Sequence, residues 1–310
     1  MPDLSICMVS LNCHRVIAEC LRSLSICDGQ LSKEIIIVDN CSADGTIDFV
    51  RQTYPDVKCI QNKENLGFTI ATNQAIRMSS GRFVLWLNTD TILLPGSLLK
   101  LVRFMEQNAR VGIVGPKVLN PDGTFQPQCK RGRPTPLASI CYLLGLDRCF
   151  PEDQNFAQYL LRYLPCDHAH RVTAVSGCCL MARREVWNRI GPLDERIFGF
   201  GEDIDWCIRA EAAGWDVWYY PESVIIHLKG MGGAHSKPFH KVWGIHQSMW
   251  IIYRKHFEHE YSLAVSISVR LAIAANFAVE CLKVLAKRII AKIGVAVTIL
   301  LRACVCCWVA

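Results

Sequence analysis

Residues 82–91 read Arg82, Phe83, Val84, Leu85, Trp86, Leu87, Asn88, Thr89, Asp90 and Thr91. Residues 82–88 form a short, nearly continuous apolar run that ends on amide, hydroxyl and carboxylate groups, the pattern of a strand buried on both faces. Working outward, residues 68–79 have helical spacing and are entered through Asn65, Leu66 and Gly67. On the other side Pro95 and Gly96 start a helix, and residues 111–119 read as a further strand. The same alternation fills the start of the chain. Strands are expected at 4–10, 34–39 and 57–61, and a helix at 16–26 with Ile17, Leu21 and Leu24 on one face. Ser42, Ala43, Asp44 and Gly45 supply turn and cap chemistry before another helix. Apolar strands separated by helices predict an α/β fold with a Rossmann-like, mostly parallel sheet flanked by helices.

The chain has 310 residues, 51% hydrophobic and 20% charged, which suits one large domain with an appendage and excludes disorder. The net charge of +6 is uneven. Arg270, Lys283, Lys287, Arg288, Lys292 and Arg302 against Glu280 put +5 on residues 261–310. A nearly neutral remainder argues against nucleic acid as a partner. Seventeen cysteines scatter through apolar stretches, and Met1-Pro2-Asp3 runs directly into a strand. Buried free thiols in a reducing, cytoplasmic compartment are expected. Cys304 and Cys307 have metal-pair spacing without the second pair that structural zinc requires.

Residues 120–170 are irregular, with Lys130, Arg131, Gly132, Arg133 and Pro134 in a row, and read as a mobile or substrate-facing insertion. Order resumes at 172–181 and in a helix at 202–213, followed by strands at 216–220 and 224–227. The expected organisation is a first half over 1–120, a second half over 121–260, and a helical tail over 261–310.

Ligands of open α/β sheets bind beyond the carboxyl ends of the strands. Those ends carry Ser10 and Asn12, Asp39 and Asn40, and Asn88 and Asp90. No glycine lies between Ser10 and His14, which counts against a dinucleotide-binding dehydrogenase, a Walker-type NTPase and a nucleotidyltransferase. A diphosphate held without a glycine cradle needs another counter-charge, and a metal on a carboxylate is the substitute.

Residues 6–12 (ICMVSLN), 36–46 (IIVDNCSADGT), 65–68 (NLGF) and 87–91 (LNTDT) stand in the order found in family 2 glycosyltransferases. Ser176-Gly177, 191–196 (GPLDER), 202–209 (EDIDWCIR) and His227 continue it. The resemblance covers roughly residues 4–230 and is nearest to the rhamnosyltransferase-like branch. The family's aromatic after the first Ser/Thr is Leu11 here, and its aromatic-rich stretch is Phe198-Gly199-Phe200-Gly201. The resemblance implies a GT-A type fold and an inverting transfer of a sugar, rhamnose for that branch. The donor would be a nucleoside-diphosphate-sugar and the acceptor a lipid-linked or polysaccharide chain. It implies Asp90 as ligand of Mg²⁺ or Mn²⁺, with His227 completing the metal site. Asp203 would be the general base, and Ser10, Asn12, Asp39, Asn65, Asn88, Glu202 and Arg209 would line the donor and acceptor cleft.

Taken singly, each residue has a plainer reading. Asp90 alone is a turn residue, Glu202 and Asp203 are favourable charge at a helix start, and His227 is a hydrogen-bonded strand end. Asp39 could cap the next helix, although Asp44 is better placed. Arg131 and Arg133 fit a solvated loop as well as a pyrophosphate contact. The alternative function is a catalytically inactive nucleotide-sugar-binding or scaffold protein at the membrane; intact Asp90, Asp203 and His227 argue against it.

In the tail, no charge-free run reaches the ~18 residues of a spanning helix. Drawn as a helix, Leu282, Leu285, Ile289, Ile293 and Leu300 fill one face and the basic residues the other. This pattern predicts a helix lying in an anionic membrane surface on the cytoplasmic side, or a helical pair packed on the catalytic domain. Nothing else in the sequence supports lipidation of Cys304, Cys306 or Cys307.

Overall fold

The computed structural model describes residues 1–27, 30–230 and 238–308, with backbone alone at 238 and from 291 onward. The side chains of Cys304, Cys306 and Cys307 therefore lie outside the described part, as do those of Ile293 and Leu300. The chain divides into two compact units, Met1–His235 and Ser236–Ala310.

The first unit begins β1 (Leu4–Ser10), α1 (His14–Ile26), β2 (Lys33–Asp39), α2 (Thr46–Thr53), β3 (Lys58–Gln61), α3 (Phe68–Met78) and β4 (Phe83–Asn88). It continues with β5 (Thr91–Leu93), α4 (Ser97–Gln107), β6 (Val111–Leu119), β7 (Lys130–Arg131), α5 (Pro136–Leu143) and α6 (Leu146–Cys149). Then follow β8 (His170–Arg171), β9 (Ala174–Val175), β10 (Cys179–Arg183), α7 (Arg184–Ile190), α8 (Glu202–Ala212) and β11 (Asp216–His227). The nine-stranded sheet has the order β3-β2-β1-β4-β10-β6-β11-β5, with β8 also pairing β11. Strands β3, β2, β1 and β4 are parallel, and β6 and β11 are parallel to each other. The intervening β10 is antiparallel to both β4 and β6, so β4 and β6 point the same way.

Both faces of the sheet are covered, which is why its strands read as unbroken apolar runs. Leu4, Ile6 and Met8 of β1 are fully buried on one face, and α1 buries Val16, Ile17, Cys20, Leu21 and Leu24. On the other, Cys7 packs with Ile36, Val38, Ala71, Ala75, Ile76 and Val84. Each aliphatic side chain so buried contributes about 1.5–3 kcal/mol before entropy is counted. The cysteines of this core are free thiols, and burial pushes Cys7, Cys20, Cys129 and Cys207 up to about 12.

Two segments differ from expectation. Residues 172–181 are not one ordered run: β9 pairs with β7 in a separate two-stranded sheet, and β10 enters the main sheet. A turn at Ser176, Gly177 and Cys178 separates them, closed by the Cys179 N–H donating to Ser176 O at 3.2 Å. Conversely, the expected strands 216–220 and 224–227 form the single strand β11, with a register shift between Tyr220 and Val224. Pro221 has no N–H for the ladder, so the irregularity falls there. The basic stretch at 130–134 is tied down. Lys130 is 1% exposed, and its Nζ donates to Leu161 O at 2.7 Å and Leu164 O at 2.9 Å.

In the second unit, α9 (Pro238–His256) and α10 (Leu263–Trp308) form an antiparallel helical hairpin. Tyr253 Oη and Ser266 Oγ lie 2.9 Å apart, and His246 Nε2 accepts from Asn276 Nδ2 at 2.8 Å while its Nδ1 faces Val242 O. Arg270 sits over the Trp250 ring at 5.5 Å. Leu263, Ile267, Leu271, Leu282, Leu285 and Ile289 of α10 are all exposed. The helix runs unbroken through Arg270 and Glu280, and by length and composition Leu263–Ile290 is long and apolar enough to cross a membrane. At 1.5 Å per residue this segment is about 42 Å long, against a hydrocarbon core of about 30 Å.

Candidate active site

Parallel strands bring their carboxyl ends to one edge. Ser10, Asp39, Asn88 and His227 end β1, β2, β4 and β11 on that edge, and the turn before antiparallel β10 meets it too. The Asn88 N–H donates to Cys178 O at 3.0 Å, which fastens that turn beside β4.

Two residues past Asn88, the antiparallel pairing of β5 with β11 sets Thr91 opposite His227. Asp90 is thereby brought against the imidazole: Asp90 Oδ1 and His227 Nε2 are 3.3 Å apart, with both side chains largely buried. Asp90 Oδ2 accepts from the Gly230 N–H at 3.1 Å. Burial alone would raise the Asp90 carboxyl, but the hydrogen bond and charge of His227, with the Gly230 N–H, hold it below the usual range. For His227 burial acts downward, yet Asp90 and the Cys178 thiol outweigh it and push the imidazole up to about 10. Gln126 fixes the ring from behind. Its Oε1 lies 3.2 Å from His227 Nδ1, and its Nε2 donates to His227 O at 2.9 Å. A carboxylate and an imidazole converging in this way suit a divalent cation of Mn²⁺ or Mg²⁺ type, with Gln126 as the orienting partner. Among the described residues no three His, Cys, Asp or Glu side chains group as a metal site. The remaining positions would fall to ligand or water oxygens.

The rim of β1 and β2 is more closed. Asp39 is fully buried, and its Oδ1 accepts from Ser10 Oγ at 2.7 Å and Ser42 Oγ at 2.5 Å. Its Oδ2 takes the Ser42 N–H at 2.9 Å. Asn12, at φ 47°, donates its N–H to Ser42 Oγ and accepts from the Ala43 N–H, so it straps the two strand ends together. Asp44, and not Asp39, accepts from the first residue of α2, taking the Thr46 N–H at 3.1 Å. Asn65 Oδ1 accepts from the Gly67 N–H at 2.9 Å, and Asn40 Nδ2 donates to Gly67 O at 3.0 Å. Gly67 stands at φ +90°, where an added Cβ would come within 2.7 Å of the Phe198 ring. Asn88 is half-buried at the mouth.

Across the edge, α8 opens with Glu202 and Asp203, 6% and 7% exposed. Asp203 Oδ2 accepts the Gly177 N–H at 2.8 Å and an Arg131 Nη at 2.6 Å, and Oδ1 accepts the Ile204 N–H at 2.8 Å. Gly177 makes this approach possible: a Cβ there would stand 3.1 Å from Trp86 and 3.4 Å from Asp203 Cβ. The carboxyl of Glu202 has a buried oxygen without a partner. Burial, and then the charge of Asp203, push it up to about 8. Arg209 has a different place from the one its motif suggested. Its guanidinium donates to Asp205 at 3.0 Å and to the carbonyls of Ile190 and Pro192 at 2.7 Å each, which clamps α8 to the end of α7.

Gln126 is a residue that sequence reasoning missed, and Arg131, weighed there as a loop residue or a pyrophosphate contact, reaches Asp203. The only signal for Arg131 was its place in a basic run, and that run suits a solvated loop equally well. Gln126 had no signal, since it meets His227 across 101 positions.

The Glycosyltransferase like family 2 profile matches residues 2–255. The N-acetylglucosaminyl-diphospho-decaprenol L-rhamnosyltransferase of Mycobacterium tuberculosis is 30% identical over 214 residues, 65% of this chain and 67% of that protein. A low-salt glycan biosynthesis hexosyltransferase of Haloferax volcanii is 28% identical over 57% of this chain and 53% of its own length. Among solved structures, the mannosyltransferase PcManGT of Pyrobaculum calidifontis, in complex with GDP-Man and Mn²⁺, has a TM-score of 0.56 at 17% identity, covering 92% of this chain and 80% of that one. S. aureus TarS 1-349 has a TM-score of 0.55 at 16% identity, covering 86% and 69%. The GT-A type fold, the ordered motifs and the match across residues 2–255 establish that the chain belongs to glycosyltransferase family 2 and is a glycosyltransferase.

Proposed function

We propose that the chain moves a sugar from a nucleoside-diphosphate-sugar to a lipid-linked or glycan acceptor, by a single inverting displacement assisted by a divalent metal. The observation that carries this reading is the meeting of the Asp90–His227 pair and Asp203 on one sheet edge. Rhamnose is the proposed sugar, supported by the 30% identity to the mycobacterial L-rhamnosyltransferase; the lipid-linked acceptor follows from that protein's name.

Asp90 and His227 would hold Mg²⁺ or Mn²⁺, which when bound neutralises charge on the departing diphosphate. Ser10, Asn12, Asp39, Asn65 and Asn88 shape the donor side of the cleft. Asp203, supported by its place at the start of α8 beside the sheet edge, takes the proton of the acceptor hydroxyl. Its neighbour Glu202 is pushed up to about 8 by burial and then by the charge of Asp203. The exposed apolar stripe of α10 and its basic residues support attachment to an anionic membrane surface, with the enzyme on the cytoplasmic side.

A panel of nucleoside-diphosphate-sugars, each assayed with Mn²⁺, with Mg²⁺ and with chelator, tests the reading directly. Transfer that survives chelation would remove the role given to Asp90 and His227. Asp203→Asn is expected to keep donor affinity and lose transfer by roughly a hundred- to ten-thousand-fold; undiminished turnover would remove it as the base.

A further inference from the structure

The proton-accepting role of Asp203 depends on which oxygen is open to the acceptor and on what holds the group still. Oδ2 already receives two donors, the Gly177 N–H at 2.8 Å and the Arg131 Nη at 2.6 Å. Oδ1 receives one, the Ile204 N–H at 2.8 Å. A carboxylate oxygen has two lone-pair directions, so Oδ1 alone has room for a further donor.

Arg131 is itself fixed from several sides. The same Nη that reaches Asp203 donates to Val175 O at 2.7 Å. Its backbone pairs with Ala174 in the β7–β9 ladder. The next residue, Gly132, donates its N–H to Tyr159 O, and a Cβ there would lie 2.3 Å from Gln158 O. The Arg131 side chain is 11% exposed and that of Asp203 9%, so water scarcely screens the pair. Strand β9 leads straight into Gly177, so one two-stranded ladder supplies both donors to Oδ2.

We infer that Arg131 is a positioning residue for Asp203: with the Gly177 N–H it saturates Oδ2 and turns Oδ1 toward the acceptor hydroxyl. The inference rests on the reading of Asp203 as base. The insertion over residues 120–170 then acts on the reaction through Asp203, by way of β7, and not by touching the donor.

The test is a double-variant cycle in the full chain, with the donor and metal that the panel identifies. Arg131→Met is expected to lower kcat about a hundred-fold with donor KM within twofold, since misplacing a reacting group by about 1 Å has that scale of effect. Arg131→Lys, which keeps the charge and one donor, is expected to recover at least about tenfold of that loss. In an Asp203→Asn background, neither Arg131 substitution should lower kcat further, because the group it positions can no longer take a proton. Full multiplicative losses in that background would overturn the inference, as would Arg131→Met with wild-type kcat, or a raised donor KM with kcat intact. Should Arg131→Met fail to fold, the Arg131→Lys arm of the cycle decides alone by the same criterion. Turnover retained by Asp203→Asn would instead sink the base assignment; an inactive Asp203→Asn with Arg131 indifferent sinks this inference only.

Discussion

With its imidazole pushed up to about 10 by Asp90 and Cys178, His227 carries a proton through the neutral range, and a metal ion must displace that proton before the nitrogen can bind it. Mn²⁺ affinity is therefore expected to rise with pH between about 6 and 9, by about tenfold per pH unit while one proton is exchanged. Mn²⁺ binding followed by electron paramagnetic resonance reads this; His227→Ala should flatten the profile and Asp90→Ala should abolish binding. Glu202 presents the opposite sign for an acid. Its folded pKa, about 8, lies above the unfolded range near 4.3, so its favourable contribution is full below about pH 4 and is lost as pH rises toward 8. Glu202→Gln should accordingly be more stable than the parent at pH 8.5, with little difference at pH 4.5. Denaturant melts at the two pH values decide it, and equal differences at both would show that Glu202 is ionised in the fold.

At the scale of elements, the entry into α3 depends on a single backbone conformation. Gly67 sits at φ +90° with the Phe198 ring where a Cβ would be, and it is bonded by Asn65 and Asn40 on either side. Gly67→Ala is expected to cost about 1–3 kcal/mol, from the strained φ and from displacement of Phe198. Urea unfolding of the pair measures it; a loss below half a kcal/mol would mean that the loop reorganises freely. The motif around Gly67 was legible because glycine at the mouth of a helix after an Asn is a local signal. The β9 turn was not. Its function is to bring Gly177 under Asp203 and Trp86, and a two-residue strand is too short to leave a period in the sequence.

On the scale of the whole molecule, the two units distribute their apolar surface differently. The first closes its apolar surface around a sheet, whereas α10 leaves Leu263, Ile267, Leu271, Leu282, Leu285 and Ile289 exposed. Removal of residues 236–310, which takes the hairpin as a unit, is expected to abolish co-sedimentation with phosphatidylglycerol vesicles. Alkaline carbonate then separates the two modes of attachment: a helix lying on the surface is released, and a spanning one stays with the lipid. Continued sedimentation after the deletion would remove the tail as the attachment.

By itself the sequence determined the sheet, because a strand covered on both faces must be apolar throughout and ends where polar groups meet solvent. It also determined which residue types stand at those ends, from Ser10 and Asp39 to Asp90. Tertiary structure alone decided which of them meet. The pairing of β5 with β11 sets Asp90 against His227, separated by 137 positions, and the β7–β9 ladder carries Arg131 to Asp203 across 72. It also decided that Arg209 clamps a helix and that Arg131 is buried. Charge in a sequence has no address until long-range packing removes it from water, and only then does a partner become obligatory.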